Sequence, residues 1–243
     1  MHEEIRSRVA ACAWVLGLAL GCGGSPAPES TAASTPPAAT AGAPSEVGFV
    51  SLFDGKTLEG WHRHEGLPED NIGGKWEVID GAIAGDQDPP GAGGFLTTTG
   101  TYKDYVLRLE ARIDYPVDSG VFLRVGPTGK SHQVTLDNRP DGTIGSIYLP
   151  WTQSMVFENK EGAAHFKSGE WNDLEIQIEG EPALIQFRVN GHRVTRFQHT
   201  EETTKGVPTE GTIALQIHPG GDWVEGNKAR FGNLRIKVLT PTP

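Results

Sequence analysis

Alternation of apolar and polar residues with a period of two, broken by turn residues, is the feature that most constrains this fold. Between residues 105 and 113, Tyr105, Leu107 and Leu109 share one face and Arg108 and Glu110 the other. Similar short segments recur to the C-terminus, and no heptad, long helical period or internal repeat accompanies them. The pattern predicts an all-β sandwich of two packed antiparallel sheets.

Turn signals between these segments support the same architecture. Asp80-Gly81 and Asn190-Gly191 each separate two alternating runs, as in tight β-hairpins. The chain has 32 glycines without a Gly-x-y period, which suits many short turns and excludes collagen. A domain from residue 47 to residue 243 is therefore expected, and this length is enough for a buried core.

The N-terminus is read as an export signal. Arg6 and Arg8 precede a short apolar run at residues 9–20, and residues 18–22 resemble a bacterial lipobox that ends at Cys22. This predicts a signal peptide over residues 1–22, lipidation of Cys22, and an exported protein anchored to the cell membrane or outer membrane, in the periplasm or at the cell surface. The alternatives are cleavage without lipid, a retained membrane anchor or a cytoplasmic tail.

Residues 23–46 consist mainly of Gly, Ser, Pro, Ala and Thr, so they are predicted to be a disordered linker. The formal charge of −10 argues against a nucleic-acid partner. Both cysteines, Cys12 and Cys22, precede the predicted domain, which therefore has neither a disulfide nor a thiolate metal site. Common short catalytic motifs are missing from the sequence.

Strand parity singles out polar residues that face away from the predicted core. These candidates are Glu110, Arg124, Gln133, Asp137, Gln216 and His218. Each also has a structural interpretation: a solvated strand for Glu110, an ion pair for Arg124, a turn cap for Asp137 and a structural histidine for His218. Trp151 and Trp223 lie in predicted loops beside Pro and Gly, where aromatic side chains can stack on sugars.

A series of motifs resembles the bacterial family of 3-keto-disaccharide hydrolases, also described as 3-keto-glucoside lyase-hydratases. The matching segments, which span residues 48–239, include GFVSLFDGKTLEGW at 48–61, WEV at 76–78, YKDY at 102–105, LRLE at 107–110, SGVFLR at 119–124, Gln133 with Asp137, GSIY at 145–148, GEWN at 169–172, NG at 190–191, IALQIH at 213–218 and FGNLRI at 231–236. The resemblance implies a concanavalin-like jelly roll. This chain departs from the family pattern at His132, beside Gln133, and in a longer loop at residues 219–229.

The resemblance also implies a reaction. A 3-keto sugar loses the acidified C2 proton, the C1 substituent leaves, and water adds to the product. Asp137 or His218 is then the base, Arg124 stabilises charge at the keto oxygen, and Glu110 orients Arg124 or ligates a divalent cation. The expected sugar-binding residues are Gln133, Tyr148, Trp151, Gln216 and Trp223.

Such a substrate requires an upstream sugar 3-oxidoreductase as a functional partner. Two other functions stay open on the same residues: a carbohydrate-binding module without catalysis, and a two-carboxylate glycosidase that acts on unoxidised sugars.

Overall fold

The computed structural model describes residues 47–67, 71–220 and 223–240. The predicted signal peptide, the predicted linker and Cys22 lie outside the described residues, so they stay predictions. Within the described ranges, no helix is long and apolar enough to cross a membrane.

The described part of the chain is built from fifteen strands and two one-turn helices. The strands are β1 (Val50–Ser51), β2 (Trp61–Arg63), β3 (Lys75–Ile79), β4 (Ala82–Asp86), β5 (Gly94–Thr98), β6 (Tyr105–Ile113), β7 (Asp118–Val125), β8 (His132–Asp137), β9 (Ile144–Leu149), β10 (Ser154–Phe157), β11 (Asn172–Glu179), β12 (Leu184–Val189), β13 (His192–Gln198), β14 (Thr212–Ile217) and β15 (Ala229–Val238). The helices are α1 (Gly162–His165) and α2 (Glu201–Thr204).

These strands form two antiparallel sheets. The eight-stranded sheet has the order β13-β12-β11-β6-β15-β4-β3, and β1 pairs with β15. The seven-stranded sheet has the order β10-β9-β8-β7-β14-β5-β2. The prediction of an all-β sandwich with two antiparallel sheets is therefore confirmed.

The core lies between the inner faces of the two sheets. On the eight-stranded sheet, Leu107 pairs with Ile176 and Leu109 with Leu174, and all four side chains are buried. On the seven-stranded sheet, Leu215 belongs to the same apolar cluster. Burying one such side chain contributes roughly 1.5–3 kcal/mol relative to leaving it exposed. The inward faces predicted from alternation are the faces that build the core.

The hairpin of β7 and β8 is central to the seven-stranded sheet. Its register pairs Asp118 with Asp137 at one end and Leu123 with His132 at the other. Val134 and Leu136 point into the core, so Gln133 and Asp137 lie on the outer face by the parity of the strand. The outer face of this hairpin forms part of the floor of a groove.

Candidate functional site

A groove of about 920 Å³ runs over the outer face of the seven-stranded sheet. Its floor contains Gln133, Thr135 and Gln216, whose exposures are only 5–6% although they face away from the core. Burial of polar groups is costly unless they have partners. A set of nearly buried polar side chains beneath an open groove therefore indicates a binding site.

Four charged or titratable side chains, here called the site cluster, line one end of this groove: Asp118, Asp137, Arg139 and His218. Arg139 donates from Nε to Asp137 Oδ1 and from Nη2 to Asp137 Oδ2, both at 2.8 Å. Its Nη2 also lies 3.0 Å from Asp118 Oδ2, and the same oxygen lies 3.7 Å from His218 Nε2. Asp118 thus bridges the guanidinium and the imidazole.

The β7–β8 register explains why an arginine lies at this position. Asp118 and Asp137 are direct cross-strand partners, and like charges placed opposite each other destabilise a sheet. Arg139 follows β8 by two residues, and its backbone N–H donates to Asp137 Oδ1 at 3.1 Å. This local turn directs the guanidinium back between the two carboxylates, where it offsets their repulsion.

His218 is placed in the cluster by contacts with its backbone. It follows the end of β14, and its N–H donates to the carbonyl of Asp118 at 3.4 Å. Its own carbonyl accepts from Gln87 Nε2 at 2.9 Å, and the same nitrogen donates to the carbonyl of Gly220. The His218 side chain is 41% exposed, so its ring is accessible from the groove.

Neutral hydrogen-bonding groups lie beside the charged ones. Gln133 Nε2 donates to Gln216 Oε1 at 3.1 Å, which orients the two amides against each other. Burial raises the pKa of the Tyr148 hydroxyl above its ordinary value of 10.0, and the negative charge of Asp118 raises it further. Tyr148 is therefore a protonated donor at neutral pH.

Apolar side chains line the rest of the groove. Phe95 and Phe122 pack with their ring centroids 4.2 Å apart, and Trp151 and Met155 lie along the β9–β10 side. Apolar surface of this kind can accommodate the faces of a sugar ring or of another ring system.

The structure brings together six of the nine candidate site residues of the predicted domain. The side chains that line this groove are those of Gln133, Asp137, Tyr148, Trp151, Gln216 and His218. Strand parity placed the first two and the last two on an outer face, and tertiary packing unites them in one site.

Glu110 lies elsewhere. It points outward from β6 on the opposite, eight-stranded sheet, where Asn233 Nδ2 donates to Glu110 Oε1 at 3.2 Å. A smaller depression of about 340 Å³ contains it together with Arg108, Asp173 and Arg188. Parity correctly predicted an outer face for Glu110, but a sandwich has two outer faces, and this residue faces away from the groove.

Arg124 is also outside the groove, because β7 contains a β-bulge. Val125 pairs with Thr212 and Phe122 with Ala214, so two residues of β7 face one residue of β14. Arg124 has φ of 53°, in the left-handed region. Such a bulge changes the direction of the side chain and interrupts the alternation on which the prediction was based.

The Arg124 guanidinium is 1% exposed and bonds to protein groups. It donates to the carbonyls of Lys103 and Gly180 and to Asp104 Oδ1, at 2.8–3.1 Å. The structural interpretation of Arg124 as an ion-paired residue therefore agrees with its surroundings.

Trp223 lies next to the groove, in an adjoining depression of about 190 Å³ that it shares with Asp118, Arg139 and His218. Its indole N–H donates to Asp86 Oδ1 at 2.9 Å and contacts the carbonyl of Asn227 at 3.1 Å. The longer loop noted in the sequence thus brings a tryptophan close to the site cluster.

Asp118 and Arg139 were not among the predicted site residues. A sequence signal for them was available, because pairing β7 with β8 around the Gly126–Lys130 turn places Asp118 opposite Asp137. Two facing carboxylates then require a nearby cation, and Arg139 is the nearest one along the chain.

The site cluster does not fit a divalent cation. Among residues 47–67, 71–220 and 223–240, no group of three or more His, Cys, Asp or Glu side chains is arranged to hold a metal ion. The space between Asp118 and Asp137 is taken by the Arg139 guanidinium.

Comparison with protein families gives a match over residues 48–237 to the 3-keto-alpha-glucoside-1,2-lyase-like domain. A search of curated proteins found no match.

Solved structures with a similar fold include three bacterial proteins. A candidate glycosyl hydrolase from Parabacteroides distasonis ATCC 8503 has a TM-score of 0.58 and 21% identity, with 79% of this chain and 99% of that chain covered. The carbohydrate-binding module CBM66 from Bacillus subtilis has a TM-score of 0.55 and 14% identity, with coverages of 73% and 95%.

A Bacillus subtilis protein of unknown function with a galectin-like fold has a TM-score of 0.56 and 12% identity, with coverages of 74% and 90%. These structures share the fold with this chain, and they confirm the predicted jelly-roll architecture.

Proposed function

Since this chain belongs to the family of 3-keto-alpha-glucoside-1,2-lyase-like domains, we propose that it cleaves 3-keto glycosides. A base removes the proton at C2, which the neighbouring ketone acidifies, and the C1–O bond breaks as the C1–C2 double bond forms. The leaving oxygen takes a proton. Water then adds across the double bond and gives the free 3-keto sugar, so the overall reaction is hydrolysis.

The observation that carries this proposal is the site cluster at the end of a groove with a polar floor. Elimination requires a base at C2, positive charge near the keto oxygen and a proton for the leaving group. Arg139 supplies the charge, His218 is the available base, and the Asp137 carboxylate can position a water molecule as proton donor within the same few ångströms.

His218 is the proposed base. Asp118 Oδ2 lies 3.7 Å from its Nε2, and a shortening of this distance in the substrate complex would let the carboxylate orient the ring. Asp137 binds Arg139 through both oxygens, so it is held in one orientation. As an acceptor on both oxygens, Asp137 positions a water molecule that protonates the leaving oxygen. The hydroxide left behind adds to C1, and the protonated His218 returns its proton to C2.

Arg139 takes the role that the family resemblance implied for Arg124, which is to stabilise negative charge at the keto oxygen. The enolate that forms on proton removal carries negative charge at the C3 oxygen, and a positioned guanidinium stabilises that charge before the reaction begins. Gln133, Gln216 and the protonated Tyr148 hydroxyl bind sugar hydroxyls on the groove floor. Trp151 contacts an apolar face of the substrate.

Two proposals concern the setting of this reaction. The substrate must come from an oxidoreductase that oxidises the C3 hydroxyl of a glycoside, because 3-keto sugars are oxidation products. Lipidation of Cys22 would keep the domain at a membrane surface, outside the cytoplasm, on a linker formed by residues 23–46.

A carbohydrate-binding module is the second candidate function. The groove has apolar side chains on both sides, Trp151 and Met155 near β9 and β10 and Phe95 and Phe122 on β5 and β7, which would suffice for sugar binding without catalysis. The two functions differ in whether a bound 3-keto sugar is consumed.

The test uses the full-length protein and 3-keto-maltose, with products followed over time in the presence and absence of a chelator. His218→Ala is expected to lower turnover by about 10²–10⁴-fold, the usual effect of removing a positioned base, and Asp118→Asn, which removes the carboxylate beside that base, is expected to lower it by a smaller factor. Circular dichroism checks that each variant is folded. Asp173→Asn is the matched control, since this exposed carboxylate lies on the opposite sheet.

Turnover by the parent, lost in His218→Ala and kept in Asp173→Asn, supports the proposal. A parent protein that binds 3-keto-maltose without consuming it would identify a binding module instead.

A further inference from the structure

A second cavity, here called the Tyr115 cavity, opens on the far side of the site cluster. Its volume is about 460 Å³, and it shares Asp137 and Arg139 with the main groove. Its other walls are Tyr115 and Pro116 on one side and the loop of Pro140, Asp141 and Gly142 on the other. Asp137 and Arg139 therefore line both spaces, which adjoin at these two side chains.

Backbone contacts hold the wall that carries Tyr115. The carbonyl of Tyr115 accepts from Asn227 Nδ2 at 2.7 Å. The N–H of Val117 donates to the carbonyl of Asp114 at 2.9 Å, and the carbonyl of Val117 accepts from the N–H of Asn138 at 2.9 Å. This segment is thus attached both to the β15 side and to the loop that forms the opposite wall.

The opposite wall lies directly against the site cluster. A Cβ atom added at Gly142 would lie 2.5 Å from Asp137 Oδ1, so the loop approaches the carboxylate as closely as its backbone allows. A molecule in the Tyr115 cavity would therefore be within reach of Asp137.

The side chains of this cavity are of the types that bind sugars. Tyr115 is 56% exposed although its backbone is held on both sides, so its ring offers a flat apolar surface to the cavity. Asp141 is exposed in the facing loop, where its carboxylate can accept hydrogen bonds from hydroxyl groups. An aromatic surface opposite a carboxylate matches a pyranose ring, which has apolar C–H faces and a polar edge.

We propose that the Tyr115 cavity binds the leaving-group sugar of a 3-keto disaccharide. This inference rests on the proposed function. The keto ring belongs in the main groove, because His218, Tyr148, Gln133 and Gln216 all line that space and none of them lines the Tyr115 cavity. Asp137 lies at the junction, where the bond between the two sugars must be protonated as it breaks.

This assignment makes Tyr115 a residue that determines specificity for the leaving group. The enzyme should therefore favour glycosides whose leaving group is itself a sugar over glycosides of small alcohols. Removing the Tyr115 ring should weaken the interaction with the second sugar and leave the chemistry at the keto ring unchanged.

The experiment compares two substrates with the same keto ring, 3-keto-maltose and methyl 3-keto-α-glucoside. Tyr115→Ala is expected to raise KM for 3-keto-maltose by about five- to tenfold, the effect of losing one aromatic contact, with kcat/KM for the methyl glycoside unchanged. Tyr115→Phe keeps the ring and should behave like the parent. Phe49→Ala removes an aromatic ring that packs on Arg108, on the other sheet, and is the matched control.

The outcomes separate this inference from the proposed function. If the parent cleaves both substrates and Tyr115→Ala affects them equally, or affects neither, the assignment of the Tyr115 cavity is wrong and the proposed function stands. If the parent cleaves neither substrate, the proposed function fails and the assignment fails with it.

Discussion

The β7–β8 hairpin has a cluster of arginine, histidine and aspartate at each of its two ends. The site cluster lies where Asp118 pairs with Asp137. At the opposite end, where Leu123 pairs with His132, lies a group here called the buried cluster, which consists of Asp104, Arg124, His132 and His199. The two clusters contain the same residue types and differ in exposure and in partners.

In the buried cluster, Arg124 and both histidines are at most 2% exposed. The rings of His132 and His199 lie 4.2 Å apart, and His199 Nδ1 is 3.0 Å from Thr203 Oγ1. Burial lowers the pKa of His132 well below its ordinary value, and the neighbouring His199 and Arg124 lower it further. Burial, with the Arg124 charge, lowers the pKa of His199 to about 4.

These differences distinguish a cluster whose partners are all protein groups from the cluster proposed to be catalytic. Arg124 bonds to carbonyls and a carboxylate of the protein, and both histidines are buried and neutral at pH 7, so neither the guanidinium nor the two imidazoles of the buried cluster are accessible to a ligand. The site cluster has two carboxylates, one guanidinium and a partly exposed imidazole at the edge of a groove. Residue type alone therefore does not identify a site. Side chains that are exposed to a groove, with two carboxylates for one guanidinium, are better evidence for one.

The largest expected effect on stability comes from the buried cluster. Arg124→Gln should lower the free energy of unfolding by about 3–5 kcal/mol, because it leaves Asp104 and two carbonyls without their buried cationic partner. Activity per folded molecule should stay within about threefold of the parent, a margin well below the effects of general acid or base removal. Urea unfolding gives the stability, and turnover of 3-keto-maltose gives the activity.

Arg188→Gln is the matched control, since this arginine lies 3.5 Å from Glu175 on an exposed sheet face. It should cost less than about 1 kcal/mol. Suppose that Arg124→Gln also lowered the free energy of unfolding by less than about 1 kcal/mol, and that the folded variant did not turn over 3-keto-maltose. Arg124 would then act in the reaction and not in the stability of the fold, which is the opposite of the role given to the buried cluster.

The second prediction concerns pH. Between its ordinary pKa of 6.5 and about 4, His199 takes up a proton in the unfolded chain and not in the folded protein. Stability should therefore fall as the pH is lowered through this window, by roughly 3 kcal/mol from His199 alone. His132 contributes in the same direction. Urea midpoints measured from pH 7.5 to pH 4.5 report the slope.

His199→Asn should flatten that slope while it lowers stability at pH 7.5, because the amide keeps a polar group near Thr203 but does not titrate. An unchanged slope in this variant would mean that other groups produce the acid sensitivity.

The smallest effect on stability is expected at the site cluster. Arg139→Gln should cost about 2 kcal/mol, because it leaves the carboxylates of Asp118 and Asp137 facing each other without a cation, and the 31% exposure of the arginine keeps the cost below that of Arg124→Gln. Its turnover should nevertheless fall by about 10²–10³-fold, as for loss of a group that stabilises developing negative charge. A large loss of stability here would show that Arg139 is chiefly a structural partner of its two carboxylates.

Local features of the sequence account for the strands, the hairpins and the direction of most side chains. Alternation predicted that Leu107 and Leu109 face the core, and it placed Gln133 with Asp137 and Gln216 with His218 on outer faces. These predictions hold because side chains in a strand alternate strictly between the two faces, whatever sheet the strand joins.

The family motifs refined the predicted all-β sandwich to a jelly roll, and they predicted a function on carbohydrates. They singled out Glu110 and Arg124 together with Asp137 and His218, and the structure separates these pairs. A recurring motif indicates positions that are important for either the fold or the function. It does not distinguish a residue that stabilises the sandwich from one that lines a groove.

The sequence by itself determined which face of its strand most side chains occupy, because that choice depends on the hydrophobicity and spacing of neighbours along one strand. Only the tertiary structure decided which outer face each polar residue occupies, because that depends on the order of strands from distant parts of the chain. Glu110 and Asp137 both face outward, on opposite sheets. The bulge that turns Arg124 inward and the register that brings Asp118 opposite Asp137 are likewise products of strand pairing.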